Sequence, residues 1–270
     1  MNAAKFETAS DILFVGNVGE EGEGDLRGVK YLIEQGRYKD QIRLFLAIDG
    51  LGQDRIVNGG LGSRRYRVTF KGPGGHSYNA FGLVSPSFAM ADAIQKFARV
   101  EVPKAPKTTF NVGVVAGGTS VNSIPYETYM DVDMRSESRG ELDKLTKTFM
   151  RLISEAVDGE NKTRSTAQGK LAADIKLIGD RPSGETSVES PFTQTVSAAV
   201  RAFGLKPSYA TASTDSNIPI SHGIPALTIG RGGKGGRVHS LDEWVDVEKK
   251  SSVEAAQVAL AILLSVARGH

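Results

Sequence analysis

The chain has 270 residues, 40% of them hydrophobic and 24% charged, with a formal net charge of +2. That composition belongs to a soluble globular protein of one large or two smaller domains, and it excludes a nucleic-acid binder, which would carry a basic patch. The absence of cysteine excludes disulfides and thiolate metal sites.

The N-terminus, MNAAKFETASDILFVG, has no basic segment leading into a long apolar core, so it reads as neither a signal peptide nor a membrane anchor. No membrane association is expected, and the cytoplasm is the expected compartment. The continuous apolar run in DILFVGNV predicts a buried parallel strand. The glycine-spaced acidic stretch GEEGEGD follows. In LRGVKYLIEQG, Leu26, Val29, Leu32 and Ile33 lie at helical spacing and predict a helix stopped at Gly36. IRLFLAIDG predicts a second buried strand ending at Asp49. Strand, helix and strand in this order point to a wound α/β layer.

The pattern changes near residue 62. RRYRVTFKG alternates, as a strand wet on one face does. A helix is predicted from Ser85 to Val100, with Pro86 in its first turn. TTFNVGVVAGG and ETYMDVDMRS read as strands, GELDKLTKTFMRLISEAVDG as a long amphipathic helix, and LAADIKLIG as a last strand. The order β-α-β-β-α-β is ferredoxin-like and fills residues 62–179. Beyond Arg181 and Pro182 the first style returns. A helix near Ser190–Phe203 precedes the short buried strand IPALTIG and the glycine loop GRGGKGGRVHS. The tail AAQVALAILLSVARGH is too short to span a bilayer and reads as a buried terminal helix. The fold class is α/β: a wound domain of residues 1–61 and 180–270, interrupted by an inserted α+β domain.

Several residues in this frame suit chemistry. Glu20 and Glu21 sit where a strand is predicted to end and a helix to begin, and ligands of open α/β sheets bind outside the carboxyl ends of strands. Two adjacent carboxylates there can divide into a metal ligand and a general base. They can equally be acids favoured by a helix dipole. Asp49 ends the neighbouring strand, as a third carboxylate at that edge or as an Asx turn before Gly50. His239, after the glycine loop, is a zinc-ligand type that Asp242 or Glu243 would orient, or a lone surface histidine. His76 in KGPGGHSYN marks a close backbone approach or a hairpin tip. Asn122 in GGTSVNSIP, Arg135 in MDVDMRS and Arg181 at the return crossing are polar groups of the inserted domain, and an arginine can grip a carboxylate bidentately. The glycine loop lacks the spacing of a phosphate-binding loop.

The ordered set (Glu-Glu, Asp, Gly-Gly-His-Ser, Asn-x-Ile-Pro, Asp-x-Arg, then His-Ser-x-x-Glu) resembles the co-catalytic zinc peptidase superfamily of aminoacylase, carboxypeptidase G, acetylornithine deacetylase, succinyl-diaminopimelate desuccinylase and peptidase T. The resemblance covers nearly the whole chain. It implies hydrolysis of an amide bond in a small peptide or N-acyl amino acid, with two zinc, cobalt or manganese ions. It identifies the inserted domain as a lid that makes a homodimer. Glu20 would be the general base on a metal-bridging water, Glu21 and His239 would share one metal, and Asp49 would sit on the other. His76 would steady the oxyanion across the dimer, while Asn122, Arg135 and Arg181 would hold the substrate carboxylate. ASTDSNIP resembles the family's Thr-Asp loop, so Ser213, Thr214 and Asp215 would line the pocket.

Two family features have no counterpart, a His-x-Asp motif and a metal-bridging aspartate that lie ahead of the matching region. Neither metal position then reaches the three protein ligands of a catalytic zinc. The expectation is an incomplete α/β catalytic domain, the C-terminal two thirds of a metallopeptidase, with an exposed apolar edge and little activity of its own. The alternative is a non-catalytic dimerising or ligand-binding homologue that has lost the metal site.

Overall fold

In the computed structural model, residues 7–238 and 240–268 are described. The chain folds as two compact units, one running to Leu61 and resuming at Pro182, the other Gly62–Arg181. In chain order the first unit begins with a 3-10 turn at Gly22–Gly24, then α1 (Arg27–Glu34), β1 (Phe45–Ile48) and β2 (Arg55–Gly60). The inserted unit holds β3 (Gly62–Lys71), β4 (Gly75–His76), α2 (Pro86–Phe97), β5 (Thr108–Gly117), β6 (Ser123–Ile124), β7 (Glu127–Ser136), α3 (Arg139–Thr163) and β8 (Ala172–Arg181). The first unit resumes with β9 (Gly184–Glu185), α4 (Pro191–Ala202), β10 (Ser208–Ala212), α5 (Asn217–Ser221) and β11 (Ala226–Ile229). It closes with β12 (Lys234–Gly236), β13 (Trp244–Asp246) and α6 (Lys249–Ala267).

The α/β unit is built on a mixed sheet in the order β1-β11-β2-β10, with β9 also on β2. β1 runs parallel to β11 and β10 parallel to β2, while β11 and β2 are antiparallel. Successive side chains of a strand face opposite sides, and β1 shows what that does. Leu46 packs with Ile56, Leu227, Ile229 and the α4 and α6 residues Val196, Val258 and Ile262. Phe45 packs with Leu26, Val29 and Ile33 of the α1 region and Ile218 of α5. Helices therefore cover both faces.

Two predicted elements of this unit differ in the structure. DILFVGNV is not a strand: it runs as irregular chain, with Phe14 75% and Val18 64% exposed. A strand needs a neighbour for its main-chain groups, and among the described residues the sheet ends at β1. The strand predicted over IRLFLAIDG forms as β1, but at this edge it is only partly buried, with Ile48 57% exposed. The terminal helix forms as α6 but buries only one stripe, Ala255, Val258, Ile262 and Ala267, leaving Val253 and Leu260 in solvent. Its 19 residues are long and apolar enough to cross a membrane by length and composition alone. Part of the glycine loop is a strand, with Lys234, Gly235 and Gly236 paired to Asp246, Val245 and Trp244.

The inserted unit is a four-stranded antiparallel sheet ordered β5-β7-β3-β8, the ferredoxin-like arrangement. Val68, Phe70, Met130, Val132 and Met134 meet Ala89, Ala93 and Phe97 of α2 and Leu142, Leu145, Phe149 and Ile153 of α3. The alternate residues form the outer face, a row of ion pairs joining Arg67 to Asp131 (2.7 Å) and both Arg65 (2.9 Å) and Arg135 (2.7 Å) to Asp133. α3 starts at an N-cap, Ser138 Oγ accepting from Glu141 N.

Candidate functional site

In the α/β unit the acidic loop is folded back over the start of α1. Gly28 N donates to Val18 O (3.2 Å), and a Cβ on Gly28 would collide with Asn17 and Val18. Only glycine lets the loop lie this close. Asn17 then reaches far in sequence, donating from Nδ2 to Asp215 Oδ2 at 2.6 Å. One hydrogen bond thus joins the loop that carries Glu20 and Glu21 to the Ser213–Asp215 loop. The N-cap residues of the 3-10 turn and of α1, Glu21 and Leu26, make no side-chain cap hydrogen bond, and Asp25 pairs with Lys30 (2.6 Å).

Beneath Asp215 lies a buried polar network that the sequence reading missed. Thr214 Oγ1 and Ser216 Oγ both bond Thr228 Oγ1 of β11, at 2.8 and 2.7 Å. Fully buried Asn217 accepts from Thr214 N (2.9 Å) through Oδ1 and donates from Nδ2 to Leu61 O and Pro182 O, each 2.9 Å away. Those two carbonyls belong to the residues where the chain leaves this unit and where it returns. The Ser/Thr-Asp-x-Asn run was the available signal.

Asp49 is exposed at the end of β1, its N–H donating to Ile229 O (2.9 Å). Glu21 is exposed as well, and Glu20 is partly buried. His239 lies outside the described residues. The carboxylates and an imidazole are donor types that zinc, cobalt or manganese accept. Among the described residues, however, no group of three or more histidine, aspartate or glutamate side chains is placed to hold a metal ion. The described carboxylates do not by themselves make a metal site.

The inserted unit divides its candidates between its two ends. His76 and Asn122 lie on loops joined by the β4·β6 pairing, with Ser77 N donating to Asn122 O (2.9 Å). Arg135 and Arg181 both lie opposite Ser63, on β7 and β8 to either side of β3. Two strand spacings put the arginine backbones about 10 Å apart on one face. Arg135 is eight residues along β7 from Glu127, which adjoins the Asn122 loop, so the two ends are separated by roughly 25 Å. Arg135 donates to Asp133, whose carboxyl burial alone would raise; the hydrogen bonds from Arg135 and Arg65 outweigh burial and hold it below its ordinary value.

Residues 58–160 match the family model of the peptidase dimerisation domain. No curated protein matches the chain. Among solved structures it is similar to the aminopeptidase PepT of Bacillus cereus, with 22% identity over 93% of this chain and 63% of that one, TM-score 0.69. A tripeptidase of Staphylococcus aureus matches at 19% identity over 93% and 62%, TM-score 0.70. YXEP of Bacillus subtilis, described as a dinuclear metal-binding peptidase of the M20 family, matches at 17% over 92% and 64%, TM-score 0.64. The chain thus spans a little under two thirds of the length of these structures. Residues 58–160 thus match a peptidase dimerisation domain, and the chain that carries them shares the fold of these peptidase structures.

Proposed function

We propose that this chain serves metal-dependent hydrolysis of an amide bond in a small peptide or N-acyl amino acid, as part of a homodimer formed through the inserted unit. The observation that carries this reading is the peptidase dimerisation domain over residues 58–160, which contains His76, Asn122 and Arg135. Peptidase folds matching over more than nine tenths of the chain support it. In this reading Glu20 takes the proton of the attacking water, Glu21, Asp49 and His239 are the metal donors, and Asp215 with Ser213 and Thr214 lines the pocket. His76 donates to the oxyanion. Arg135 and Arg181 at one end of the lid, and Asn122 at the other, hold the substrate's oxygens. A separation of roughly 25 Å keeps both ends of one lid from gripping one small substrate, so each site draws on two copies. The expected metal is zinc, and the expected location is the cytoplasm.

With two carboxylates and one histidine for two metals, the 270 residues alone are expected to bind zinc weakly and turn over little. The test is metal analysis with a panel of dipeptides, tripeptides and N-acyl amino acids. It is run on the 270-residue chain and on any longer chain its gene encodes. Tight binding of two zinc ions with robust hydrolysis by the 270 residues would refute the incomplete site. Mixing inactive His76→Ala and Arg135→Ala proteins should restore activity if the two ends serve different sites. The lack of a three-donor group among the described residues favours a second reading, a dimerising homologue without catalysis. Failure of every metal-loaded form on the whole panel would select it.

A further inference from the structure

After His76 the chain makes a single helical turn, Ala80 N donating to His76 O (2.8 Å) and Phe81 N to Tyr78 O (3.3 Å). The first amides of such a turn have no carbonyl to bond. Here those of Tyr78 and Asn79 both point at His76 Nδ1, at 3.2 and 3.4 Å. The pattern is that of a helix N-cap, with residues two and three places on donating to the capping side chain. A ring nitrogen takes the place of the usual oxygen.

The chemistry of the cap fixes the ring. A main-chain N–H can only donate, so Nδ1 must offer its lone pair, and the neutral imidazole then carries its proton on Nε2. The side chain is exposed, so that N–H faces outward. On the facing loop Ser120 Oγ donates to Asn122 Oδ1 at 2.6 Å. One lone pair of the amide oxygen is thereby occupied, which identifies the other end of the amide as the NH2, a pair of donors. Backbone pairing of His76 with Ser123, and of Ser77 N with Asn122 O, holds the two loops side by side.

We infer that Ser120 and the main-chain amides of Tyr78 and Asn79 are positioning groups. They lock His76 as the Nε2–H tautomer and fix the Asn122 amide, so that this tip of the lid is a clamp built on an imidazole N–H and an amide NH2. Such a clamp takes a carbonyl or carboxylate oxygen. This rests on the proposed reading of His76 and Asn122 as groups that grip a substrate oxygen, and it names the residues that prepare them.

The test is nitrogen-15 NMR of the full chain at a pH where imidazole is neutral, with acetate and N-acetylglycine as probes. His76 should show one tautomer, Nδ1 with the shift of an unprotonated nitrogen and Nε2 with that of an N–H, instead of the averaged shifts of free histidine. Acetate should move the His76 Nε2 and Asn122 side-chain resonances together. Ser120→Ala should weaken that binding about five-fold, the worth of one net hydrogen bond, and Ser120→Thr should restore it. Averaged or Nδ1–H shifts, or a Ser120→Ala protein that binds as well as the parent, would overturn the inference even if acetate binds. A locked tautomer and oriented amide that ignore both probes would instead overturn the clamp together with the substrate reading of His76.

Discussion

Replacing Asn217 with Leu tests whether one buried amide organises the candidate pocket loop. The swap keeps nearly the same volume but leaves Thr214 N without its acceptor and the carbonyls of Leu61 and Pro182 without their donor. A buried group orphaned in this way costs about 1–3 kcal/mol. The Thr214 N bond is buried, whereas the two carbonyls are partly accessible and can recruit water, so the low end applies to them and the sum is about 3–4 kcal/mol. That is a large fraction of a typical stability of about 5–15 kcal/mol. The assay is urea denaturation followed by the fluorescence of Trp244, the single tryptophan, which lies in the same unit. Limited proteolysis near residues 61 and 182 should quicken in parallel. Asn217→Asp, which sets a buried carboxylate oxygen against both carbonyls, should cost at least as much as Leu near neutral pH. A loss below about 1 kcal/mol for Asn217→Leu, the worth of a single ordinary hydrogen bond, would refute the idea that this side chain ties the crossings to the loop.

Three further outcomes are expected. Gly28→Val should push the loop at Asn17 and Val18 off α1, costing about 1–3 kcal/mol as overpacking does; faster amide exchange at position 28 would report it, and unchanged exchange would argue against the close approach. Asp133 has a lowered folded-state pKa, so its contribution is fully present above the unfolded value of about 4 and is lost as pH falls through the lower folded value. Asp133→Asn should therefore flatten the acid limb of the stability profile and lower the plateau by about 0.5–1 kcal/mol, as measured by thermal unfolding across pH. Ile48→Lys should reduce light scattering of concentrated solutions, because the N–H groups of Phe45 and Asp49 bond β11 and those of Leu46 and Ile48 therefore lie on the open side. Unchanged scattering would clear this edge of blame.

The lid was almost wholly legible in the sequence. Its strands are wet on one face, so alternation in RRYRVTFKG and ETYMDVDMRS carries the register as well as the element, and the helices announce themselves through Pro86 and the amphipathic run GELDKLTKTFMRLISEAVDG. The α/β unit was less so. β2, buried throughout, is Arg-Ile-Val-Asn-Gly-Gly, with two glycines where periodicity would need side chains. DILFVGNV has the composition of a strand, yet strand formation depends on a neighbour, and a local pattern says nothing about whether one is there.

The candidate site follows the same division. Residue types and order pointed to Glu20, Glu21, Asp49 and Asp215, but what holds them is long-range: Asn17 bonds a residue 198 positions away, and Asn217 bonds carbonyls 156 and 35 positions away. No local rule predicts such partners. The acidic loop is fixed from the Asp215 side, through Asn17 and Gly28, and its carboxylates stand on a loop with no strand of its own. Those two polar tethers and one glycine hold the loop that carries the carboxylates, so changes at Asn17 or Gly28 should move that loop without touching a carboxylate.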